Sequence, residues 1–416
     1  MRPLYTNDNG DLLVDDKRFA AARRGGEVLK AADYIPMPEG ATFAAMVGRA
    51  PVVFDGEGRL CRGRGTAVAV LLPQGFTRTL LPATETVGGP EVLPLLGYTA
   101  AAMKNGRVYV AARQTDEHRV WHPAHYNTGD LPRRVEKVRK KLKDNRIIAQ
   151  LARCSLEYGC FTAQNVFYRR WEGGLPVSPA CNARCVGCIS KQESECCPSA
   201  QGRITFRPTV REIAEVGVFH LGGKRENNII SFGQGCEGEP SLEAERIAKA
   251  IRVIRRNTDR GTINMNTNAG YTERIRAVVD AGIDTLRVSL FSAIAEHNDA
   301  YYRPVGYTLK DVENSIAYAV SRGVYVSLNL LAFPGFTDRE EEIEALLALI
   351  ERTGLHKVQL RNLNIDGDYF YEQCGFSPQK SLGTDALIAA LRQSGVAVGN
   401  YSRPQKKEDN FLGEKS

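Results

Sequence analysis

Three cysteines in one short segment are the residues of this chain best suited to chemistry. They are spaced Cys181-x3-Cys185-x2-Cys188 and follow an apolar, proline-containing segment, 174–180. Three thiolates can ligate three irons of a [4Fe–4S] cube and leave the fourth iron open to a substrate or cofactor. The spacing therefore predicts Cys181, Cys185 and Cys188 as ligands of an iron–sulfur cluster that takes part in chemistry.

Two other interpretations of these cysteines stay open. A structural zinc site normally adds a second ligand pair, such as C-x2-C or H-x3-H. No second C-x2-C exists, and the histidines closest to one another, His118, His122 and His125, lie in a different region. The cysteines could also be buried or reactive thiols without a metal, but three of the chain's ten cysteines within eight residues are improbable by chance.

The segment Pro179-Ala-Cys181-Asn182-Ala-Arg-Cys185-Val-Gly-Cys188 is similar to the signature loop of the radical S-adenosylmethionine (radical SAM) superfamily. In that superfamily the open iron binds the amino and carboxylate groups of SAM, and one electron cleaves SAM to methionine and a 5′-deoxyadenosyl radical. The resemblance implies a [4Fe–4S] cluster and SAM as cofactors. The family usually has an aromatic residue just before the third cysteine, where this chain has Gly187, so adenine contacts are expected from elsewhere.

A second motif follows the next predicted strand. Gly238-Glu239-Pro240 resembles the family's Gly-Gly-Glu-Pro segment, which receives the SAM amino group, with Glu237 in place of the first glycine. A carboxylate suits this role because it pairs with an ammonium group. A glycine-rich turn alone would be weak evidence, but its place one βα unit after the cysteines predicts Gly238, Glu239 and Pro240 as SAM-binding residues.

Polar residues also stand near the ends of the later predicted strands. The resemblance implies SAM contacts from Asn268 after strand three, from Arg287 and Ser289 on strand four and from Asn329 on strand five. Segment 332–336 is a candidate for packing against adenine. Gln359 and Arg361 on the last strand share one face and could point toward the substrate. Polar filling of a barrel remains the alternative explanation for each of these residues.

The other cysteines leave three hypotheses open. Cys236 lies beside Glu237 in the glycine-rich turn, where it is predicted as a catalytic residue that donates a hydrogen atom or accepts a covalent bond near the radical. A second iron–sulfur cluster could instead use Cys160, Cys196 or Cys197, and Cys236. The third interpretation is a set of buried, inert thiols, which free cysteines commonly are.

Strands and helices alternate from about residue 174 to 365. Strands are predicted at 228–232, 262–267, 285–290, 324–331 and 357–361, with helices at 242–257, 272–281, 309–322 and 338–353 between them; Ser241 is a candidate N-cap. Such alternation predicts an α/β fold with a parallel sheet whose active site lies at the carboxyl ends of the strands. The resemblance makes this a partial (β/α)6 barrel, with segment 174–180 as its first strand.

The regions flanking the barrel have their own patterns. Residues 1–130 have short apolar runs between turns and predict a β-rich accessory domain, with a hairpin turn at Asn105-Gly106 and a helix near 17–32. Residues 131–173 predict a basic helix that continues through 152 as a bridge, the barrel occupies 174–365, and 366–416 form a helical extension with a polar tail. The basic face could contact RNA or an acidic peptide, but a solvated face is favoured since no RNA-binding motif accompanies it.

Composition agrees with a globular enzyme. Apolar residues make up 43% of the chain, the net charge is +7, and no run approaches a membrane span or a signal peptide. Cysteine clusters of this kind belong in a reducing compartment, so we expect the cytoplasm of an anaerobic or well-reduced host. The expected partners are SAM, a reductant such as flavodoxin or ferredoxin, and an unidentified substrate, but neither a membrane nor nucleic acid.

Together these features predict a radical SAM enzyme. Its [4Fe–4S] cluster would cleave SAM reductively to a 5′-deoxyadenosyl radical that abstracts hydrogen from a substrate. The alternative is an iron–sulfur carrier or scaffold without radical catalysis, and a third possibility is a structural zinc protein that binds nucleic acid. The turn at Gly238 and the polar strand ends favour the enzyme, because a carrier needs no SAM pocket.

Overall fold

Antiparallel strands make up the first part of the chain. The computed structural model describes residues 1–117, 119–192, 199–223 and 227–405. The strands of this part are β1 (Arg2–Thr6), β2 (Leu12–Val14), β3 (Phe19–Arg24), β4 (Glu27–Lys30), β5 (Ile35–Pro36), β6 (Thr42–Ala45), β7 (Arg49–Phe54), β8 (Leu60–Arg62), β9 (Thr66–Leu71), β10 (Phe76–Arg78), β11 (Leu81–Pro82), β12 (Thr84–Thr86), β13 (Tyr98–Thr99), β14 (Ala101–Lys104), β15 (Arg107–Val110) and β16 (Ala112–Gln114). Two larger sheets are built around β1 and β3, and β10 pairs with β16.

Local sequence explains two features of these sheets. Asn105 and Gly106 both have positive φ, at 49° and 73°, and join β14 to β15 as the predicted hairpin turn. The helix predicted near 17–32 is wrong, because β3 and β4 form an antiparallel hairpin there. Ala20 and Ala22 are buried on one face of β3. This alternation within the sheet overrides the helical propensity of an alanine-rich segment.

Three helices connect the two halves of the chain. They are α1 (Leu131–Lys141), α2 (Arg146–Leu156) and α3 (Phe161–Tyr168), preceded by 3-10 turns at Arg119–Trp121 and Pro123–His125. The predicted continuous basic helix is therefore interrupted. Asn145 caps α2, since its side chain accepts hydrogen bonds from the N–H groups of Ile147 and Ile148.

A parallel sheet follows, with its strands in chain order. These are β17 (Glu172–Gly174), β18 (Ile229–Phe232), β19 (Thr262–Thr267), β20 (Thr285–Leu290), β21 (Tyr325–Ala332), β22 (Lys357–Asn362) and β23 (Ala397–Gly399). The helices are α4 (Val210–Leu221), α5 (Ala244–Asn257), α6 (Thr272–Val279), α7 (Ala295–Tyr302), α8 (Leu309–Ser321), α9 (Glu340–Thr353), α10 (Gly367–Cys374) and α11 (Thr384–Gln393), with a 3-10 turn at Pro240–Glu243. The α/β alternation is confirmed, and β23 was not predicted.

One face of this sheet is polar and the other is apolar. Alternate strand residues such as Ile230, Met265 and Val288 pack against the helices in the largest hydrophobic core. Residues between them, including Asn264, Arg287 and Gln359, are buried on the opposite face, called here the polar face. Because parallel strands end at one edge, the loops after the strands meet there.

The first strand and the start of α5 differ from the prediction. Strand β17 ends at Gly174, and Leu175 N–H still donates to the Ser231 carbonyl of β18 at 2.9 Å. Beyond Leu175 the segment is no longer a strand, since Pro176 and Pro179 lack N–H donors. Ser241 is not the N-cap of α5, because the 3-10 turn from Pro240 intervenes and is capped by the Glu239 side chain.

The N-terminal strands pack onto loops at the carboxyl edge of the parallel sheet. The buried Arg78 side chain reaches the Leu363 carbonyl beyond β22, and Asn362 Nδ2 donates to the Phe76 carbonyl at 3.0 Å. Leu81 and Leu95 share a hydrophobic cluster with Phe291 and Phe333. No helix within the described part of the chain is long and apolar enough to cross a membrane. The predicted domain boundaries at 130, 173 and 365 stay predictions.

Candidate active site

The cysteine loop leaves β17 and is held by the end of α7. Arg184 N–H donates to the Tyr302 carbonyl at 2.9 Å, and Val186 N–H donates to the Tyr301 carbonyl at 3.0 Å. Cys181, Cys185 and Cys188 all line one cavity of about 830 Å³. The structure therefore brings the three predicted iron ligands to a single surface.

Two of the three cysteines, Cys181 and Cys185, lie where burial favours the protonated thiol. Burial raises the pKa of Cys181 and raises that of Cys185 well above its usual range, and the neighbouring cysteines raise both further. Arg203 opposes this effect and places Nη2 3.6 Å from Cys188 Sγ. Metal binding to thiolates releases protons, so iron would substitute for them.

Within the described residues, no group of three His, Cys, Asp or Glu side chains has the arrangement of a site for one metal ion. A cubane cluster differs from such a site, since each cysteine binds its own iron. His118, one of the histidines weighed as a zinc ligand, lies outside the described residues.

The turn at Gly238 is pressed against the backbone that leads to Cys181. Gly238 N–H donates to the Ser178 carbonyl at 2.7 Å, and Glu239 N–H donates to the Ala180 carbonyl at 2.8 Å. A Cβ atom on Gly238 would lie 2.0 Å from the Ala180 carbonyl oxygen. Only glycine permits this approach, which places the two predicted motifs side by side.

Glu239 is buried and organises the end of β19. Its Oε1 accepts from Ser241 N–H at 2.9 Å and from Thr267 Oγ1 at 2.5 Å, while Oε2 accepts from Asn268 N–H at 2.8 Å. Burial raises the pKa of Glu239, and the Glu239 carboxylate in turn raises the pKa of Cys181. The carboxylate therefore lies within electrostatic reach of the first cysteine.

Glu237 has a structural role in the same turn. Its Oε2 accepts from the N–H groups of Val177 and Ser178 at 2.8 and 2.9 Å, and its Oε1 accepts from Gly233 N–H at 2.5 Å. Burial raises the pKa of Glu237 to about 8. This residue joins the turn to the segment before the cysteines, which explains why glutamate replaces the expected glycine.

Asn182 and Asn268 link the cysteine loop to β19. Asn268 Oδ1 accepts from Gly270 N–H at 3.0 Å, which fixes the orientation of that amide, and Asn268 Nδ2 donates to Asn182 Oδ1 at 2.7 Å. Asn182 Nδ2 is consequently a buried donor without a hydrogen-bond partner among the described residues. Such an atom costs free energy unless a ligand or water satisfies it.

Segments far apart in sequence supply the other walls of the cavity. Arg49, Thr86 and Val92 come from the N-terminal strands and loops, and Tyr369 and Gln373 come from α10. Sequence reasoning missed all of them, because only the folded chain brings them to the cysteine loop. No local motif marks these positions.

Comparison with known proteins agrees with this geometry. A family model described as the radical SAM superfamily matches residues 175–349. Residues 175–349 form a radical SAM domain. Members of this superfamily are enzymes that use a [4Fe–4S] cluster and SAM. A comparison with curated protein sequences gives no match.

Solved structures resemble the chain more distantly. A radical SAM methyltransferase from Sphaerobacter thermophilus is 17% identical, with 55% of this chain and 65% of that chain covered and a TM-score of 0.39. Streptococcus suis SuiB bound to precursor peptide SuiA is 11% identical over 62% of this chain and 53% of that chain, at a TM-score of 0.39. The FeFe-hydrogenase maturase HydG from Carboxydothermus hydrogenoformans is 14% identical, with 67% of this chain and 73% of that chain covered and a TM-score of 0.35. The chain thus spans about half to two thirds of the length of the first two of these proteins. At these TM-scores, no residue role or substrate is transferred from them to this chain.

The residues of the radical SAM domain fit its cofactors. Three thiols on one loop suit three cluster irons, and Arg203 can balance thiolate charge. A carboxylate has about four acceptor positions. Glu239 uses three of them on Ser241, Thr267 and Asn268, so Oε2 retains one position for an ammonium group. Asn182 Nδ2 adds a donor on the cysteine loop.

An aromatic residue from another element fills the space beside Gly187. A Cβ atom on Gly187 would lie 2.8 Å from the Tyr301 hydroxyl oxygen. Tyr301 is buried, and Cys185 and Cys188 contribute to raising its pKa after the larger effect of burial. Phe333 and Phe336, from the segment weighed for adenine packing, are fully buried in an aromatic cluster with Phe291. Tyr301 is therefore an aromatic side chain that lies beside Gly187 of the cysteine loop.

The predicted residues on β20 and β21 do not line the cysteine cavity, and neither do Glu239 and Asn268. Arg287 Nη2 forms a buried ion pair with Glu172 at 3.1 Å, and Arg287 Nε donates to Ser402 at 2.9 Å. Ser289 and Asn329 are neighbours in register on the polar face of the sheet, and Asn329 Oδ1 has no hydrogen-bond partner among the described residues. Their predicted SAM contacts stay predictions.

Cys236 also lies away from the cavity lining. It is buried in the main core, where hydrogen bonding to Cys154 and burial raise its pKa well above the usual range. Cys160 interacts with both thiols, and its N–H donates to the Cys154 carbonyl at 3.0 Å. Sequence reasoning missed Cys154 as a member of this group. Cys196 and Cys197 lie outside the described residues.

Proposed function

We propose that this chain is a radical SAM enzyme that abstracts hydrogen from a substrate held in the cavity beside Cys181, Cys185 and Cys188. The observation that carries the proposal is this cavity of about 830 Å³, with the three cysteines on one wall. Its volume is typical of sites for small molecules. When bound, the cluster would supply the electron that cleaves SAM, and the resulting 5′-deoxyadenosyl radical would act on the substrate.

Residue roles follow from the contacts of the radical SAM domain. The three cysteines hold the cluster, and Arg203 stabilises the thiolate of Cys188. Glu239 accepts from the SAM ammonium group through the remaining acceptor position on Oε2, while Asn182 Nδ2 donates to an anionic or carbonyl-like oxygen nearby. Gly238 acts through the backbone, because its N–H group holds the turn against the segment before Cys181, and Pro240 begins the 3-10 turn that follows.

The charged residues that line the cavity favour a polar substrate. Arg184, Lys191 and Arg303 line the cavity together with Glu91 and Glu372. None of these five side chains forms an ion pair with another described residue, so charges of both signs are available to a ligand. A purely apolar substrate would leave them unsatisfied. The N-terminal strands contribute to this site, so we assign them a part in substrate binding.

The chain order of the parallel strands fits a partial (β/α)6 barrel with β23 as an added edge strand. The enzyme would act in a reducing cytoplasm with a reductant such as flavodoxin or ferredoxin. A second cluster that includes Cys160 and Cys236 remains a separate hypothesis, which requires more than the iron of a single cluster per chain.

Formation of 5′-deoxyadenosine tests the proposed function. The anaerobically reconstituted protein is incubated with SAM and dithionite and compared with a Cys181→Ala/Cys185→Ala/Cys188→Ala variant. We expect 5′-deoxyadenosine from the wild type alone. If a protein with a bound [4Fe–4S] cluster formed none under any reductant or candidate substrate, the iron–sulfur carrier would be the better explanation.

A further inference from the structure

The basic helix α1 has no part in the proposed function, yet the structure places a groove at its end. This groove has a volume of about 710 Å³ and lies between the end of α1 and helices α4 and α5. It is called here the α4 groove. Its lining comes from segments other than the cysteine loop, so it is a site separate from the cavity described above.

The floor of the α4 groove is apolar. Val210, Ala214 and Val218 follow each other at four-residue spacing along α4, and Leu142 and Val253 complete the floor. Val210, Val218 and Val253 are only half-buried, although each packs against the main core. A row of apolar side chains at this spacing is the surface into which a second helix packs.

The rim of the groove is cationic. Lys141 Nζ lies 5.4 Å and Arg169 Cζ 4.5 Å from the centre of the Phe219 ring, so both cations stand over this aromatic residue. Arg211 adds a third cation, and Glu215 is the carboxylate of the lining. Glu215 already accepts from Asn145 at 2.9 Å and lies 3.8 Å from Arg211.

Further cations continue from the rim along α1. Arg133 and Lys137 precede Lys141 at four-residue spacing and therefore lie on one side of the helix. Both are exposed, and neither has a carboxylate partner among the residues that the structure describes. The cationic rim at Lys141 thus continues along α1 as a row of exposed cations, although Arg133 and Lys137 do not themselves line the groove.

We propose that the α4 groove binds an acidic amphipathic helix of a partner protein. Its apolar side chains would cover the floor at helical spacing, and its carboxylates would pair with the rim and with Arg133 and Lys137. Single-stranded RNA fits less well, because it needs an exposed aromatic face for stacking, whereas Phe219 is covered by two cations. The proposal is independent of the proposed SAM chemistry.

Peptide binding to the full-length protein tests this inference. The probe is a fluorescein-labelled helical peptide of about 15 residues with leucine at helical spacing and glutamate elsewhere, and binding is followed by fluorescence anisotropy. One comparison peptide has lysine for glutamate, and another has serine for leucine. The test variant is Lys137→Glu/Arg211→Glu, on exposed positions, and the control is Arg107→Glu, an exposed position on the N-terminal hairpin.

We expect saturable binding of the Glu/Leu probe, weakened about tenfold or more by the double variant and unchanged by Arg107→Glu. Added salt should weaken it, and the two comparison peptides should not bind. Absent binding, or equal binding to the double variant, would overturn the proposal. So would preferential binding of an RNA oligonucleotide or phosphatidylserine vesicles that the double variant abolishes, or self-association lost in that variant.

Discussion

Asn182 and Gly238 each connect the cysteine loop to the residues around Glu239, by different physical means. Asn182 accepts a hydrogen bond from Asn268, and its buried Nδ2 donor has no partner in the part of the chain that the structure describes. Gly238 allows the turn to lie close to the segment before Cys181 because it has no side chain; a Cβ atom there would clash with the Ala180 carbonyl oxygen. The first effect concerns ligand binding and the second concerns the shape of the loop, so the two can be tested separately.

Substitution of Asn182 should weaken SAM binding. Asn182→Ala removes the donor, and Asn182→Asp keeps the size of the side chain but replaces Nδ2 with an acceptor. A lost hydrogen bond to a charged group costs about 1.5 kcal/mol or more. We therefore expect the dissociation constant for SAM, measured by calorimetry on reconstituted protein, to be about tenfold higher in either variant. Iron content should match the wild type, and unchanged SAM affinity in both variants would refute this role.

Substitution of Gly238 should disturb cluster binding. The methyl group of Gly238→Ala cannot fit without moving the backbone before Cys181, at a cost of about 1–3 kcal/mol. We expect a lower melting temperature and a lower iron content after reconstitution. Gly202→Ala is the matched control, since its Cβ atom would lie an ordinary 3.6 Å from the Tyr158 hydroxyl. Equal iron content in both variants would show that the close approach is unimportant.

At the scale of elements, helices α2 and α4 are joined by one buried carboxylate. Glu212 belongs to the capping box of α4 with Thr209, and it also pairs with Arg146 at the start of α2 at 2.8 Å. Hydrogen bonding to Arg146 is the main cause that lowers the pKa of Glu212 to about 2. The same side chain thus starts one helix and fixes the position of another.

This pairing should make stability depend on pH. A carboxyl group whose pKa is lower in the folded than in the unfolded protein stabilises the fold above the unfolded value and loses that contribution as pH falls toward 2. Glu212→Gln should therefore lower the free energy of unfolding at neutral pH by about 1–2 kcal/mol, allowing for solvent around Arg146. Urea unfolding of both proteins between pH 7 and pH 3 measures this. If the free energy of unfolding depended on pH in the same way in the variant and in the wild type, the prediction would be contradicted.

Sequence patterns predicted most elements of the parallel sheet but not every contact that positions the site. Alternating strands and apolar helix faces are local signals, so β18 to β22 and helices α5, α6, α8 and α9 were found near their observed bounds, whereas α4 and α7 were not predicted. The hairpin of β3 and β4 was mistaken for a helix because sheet pairing depends on residues far away. The role of Glu237 was likewise hidden, since its partners Val177 and Ser178 are distant in sequence.

At the scale of the whole molecule, the N-terminal strands share buried contacts beside the cavity with Asp366, which follows β22, and with the cysteine loop of the radical SAM domain. Arg49 pairs with Asp366 at 3.2 Å, with both side chains buried, and also donates to the Pro90 and Glu91 carbonyls. Leu81, Val92 and Leu95 join the same hydrophobic cluster as Val186 of the cysteine loop. The N-terminal region is therefore expected to support the cysteine loop as well as to contact substrate.

Breaking the buried ion pair tests this coupling. Arg49→Met removes the charged partner of the buried Asp366 carboxylate, which still accepts from the N–H groups of Leu93 and Asp368. Loss of one partner of a buried ion pair typically costs about 3–5 kcal/mol. We expect a lower free energy of unfolding and weaker retention of iron. Arg62→Met is the matched control, because Arg62 pairs with Glu85 on the surface with both side chains about half exposed. It should leave the free energy of unfolding near that of the wild type, and equal effects of the two substitutions would refute the coupling.

Electron paramagnetic resonance of the reduced cluster tests the central claim most directly. The claim is that Cys181, Cys185 and Cys188 leave one iron open and that SAM binds there beside Glu239 and Asn182. The spectrum of the dithionite-reduced protein should change when SAM is added, and SAM labelled with carbon-13 in its carboxylate should show hyperfine coupling to the cluster. An unchanged spectrum without coupling, in protein that binds a full [4Fe–4S] cluster, would contradict the account.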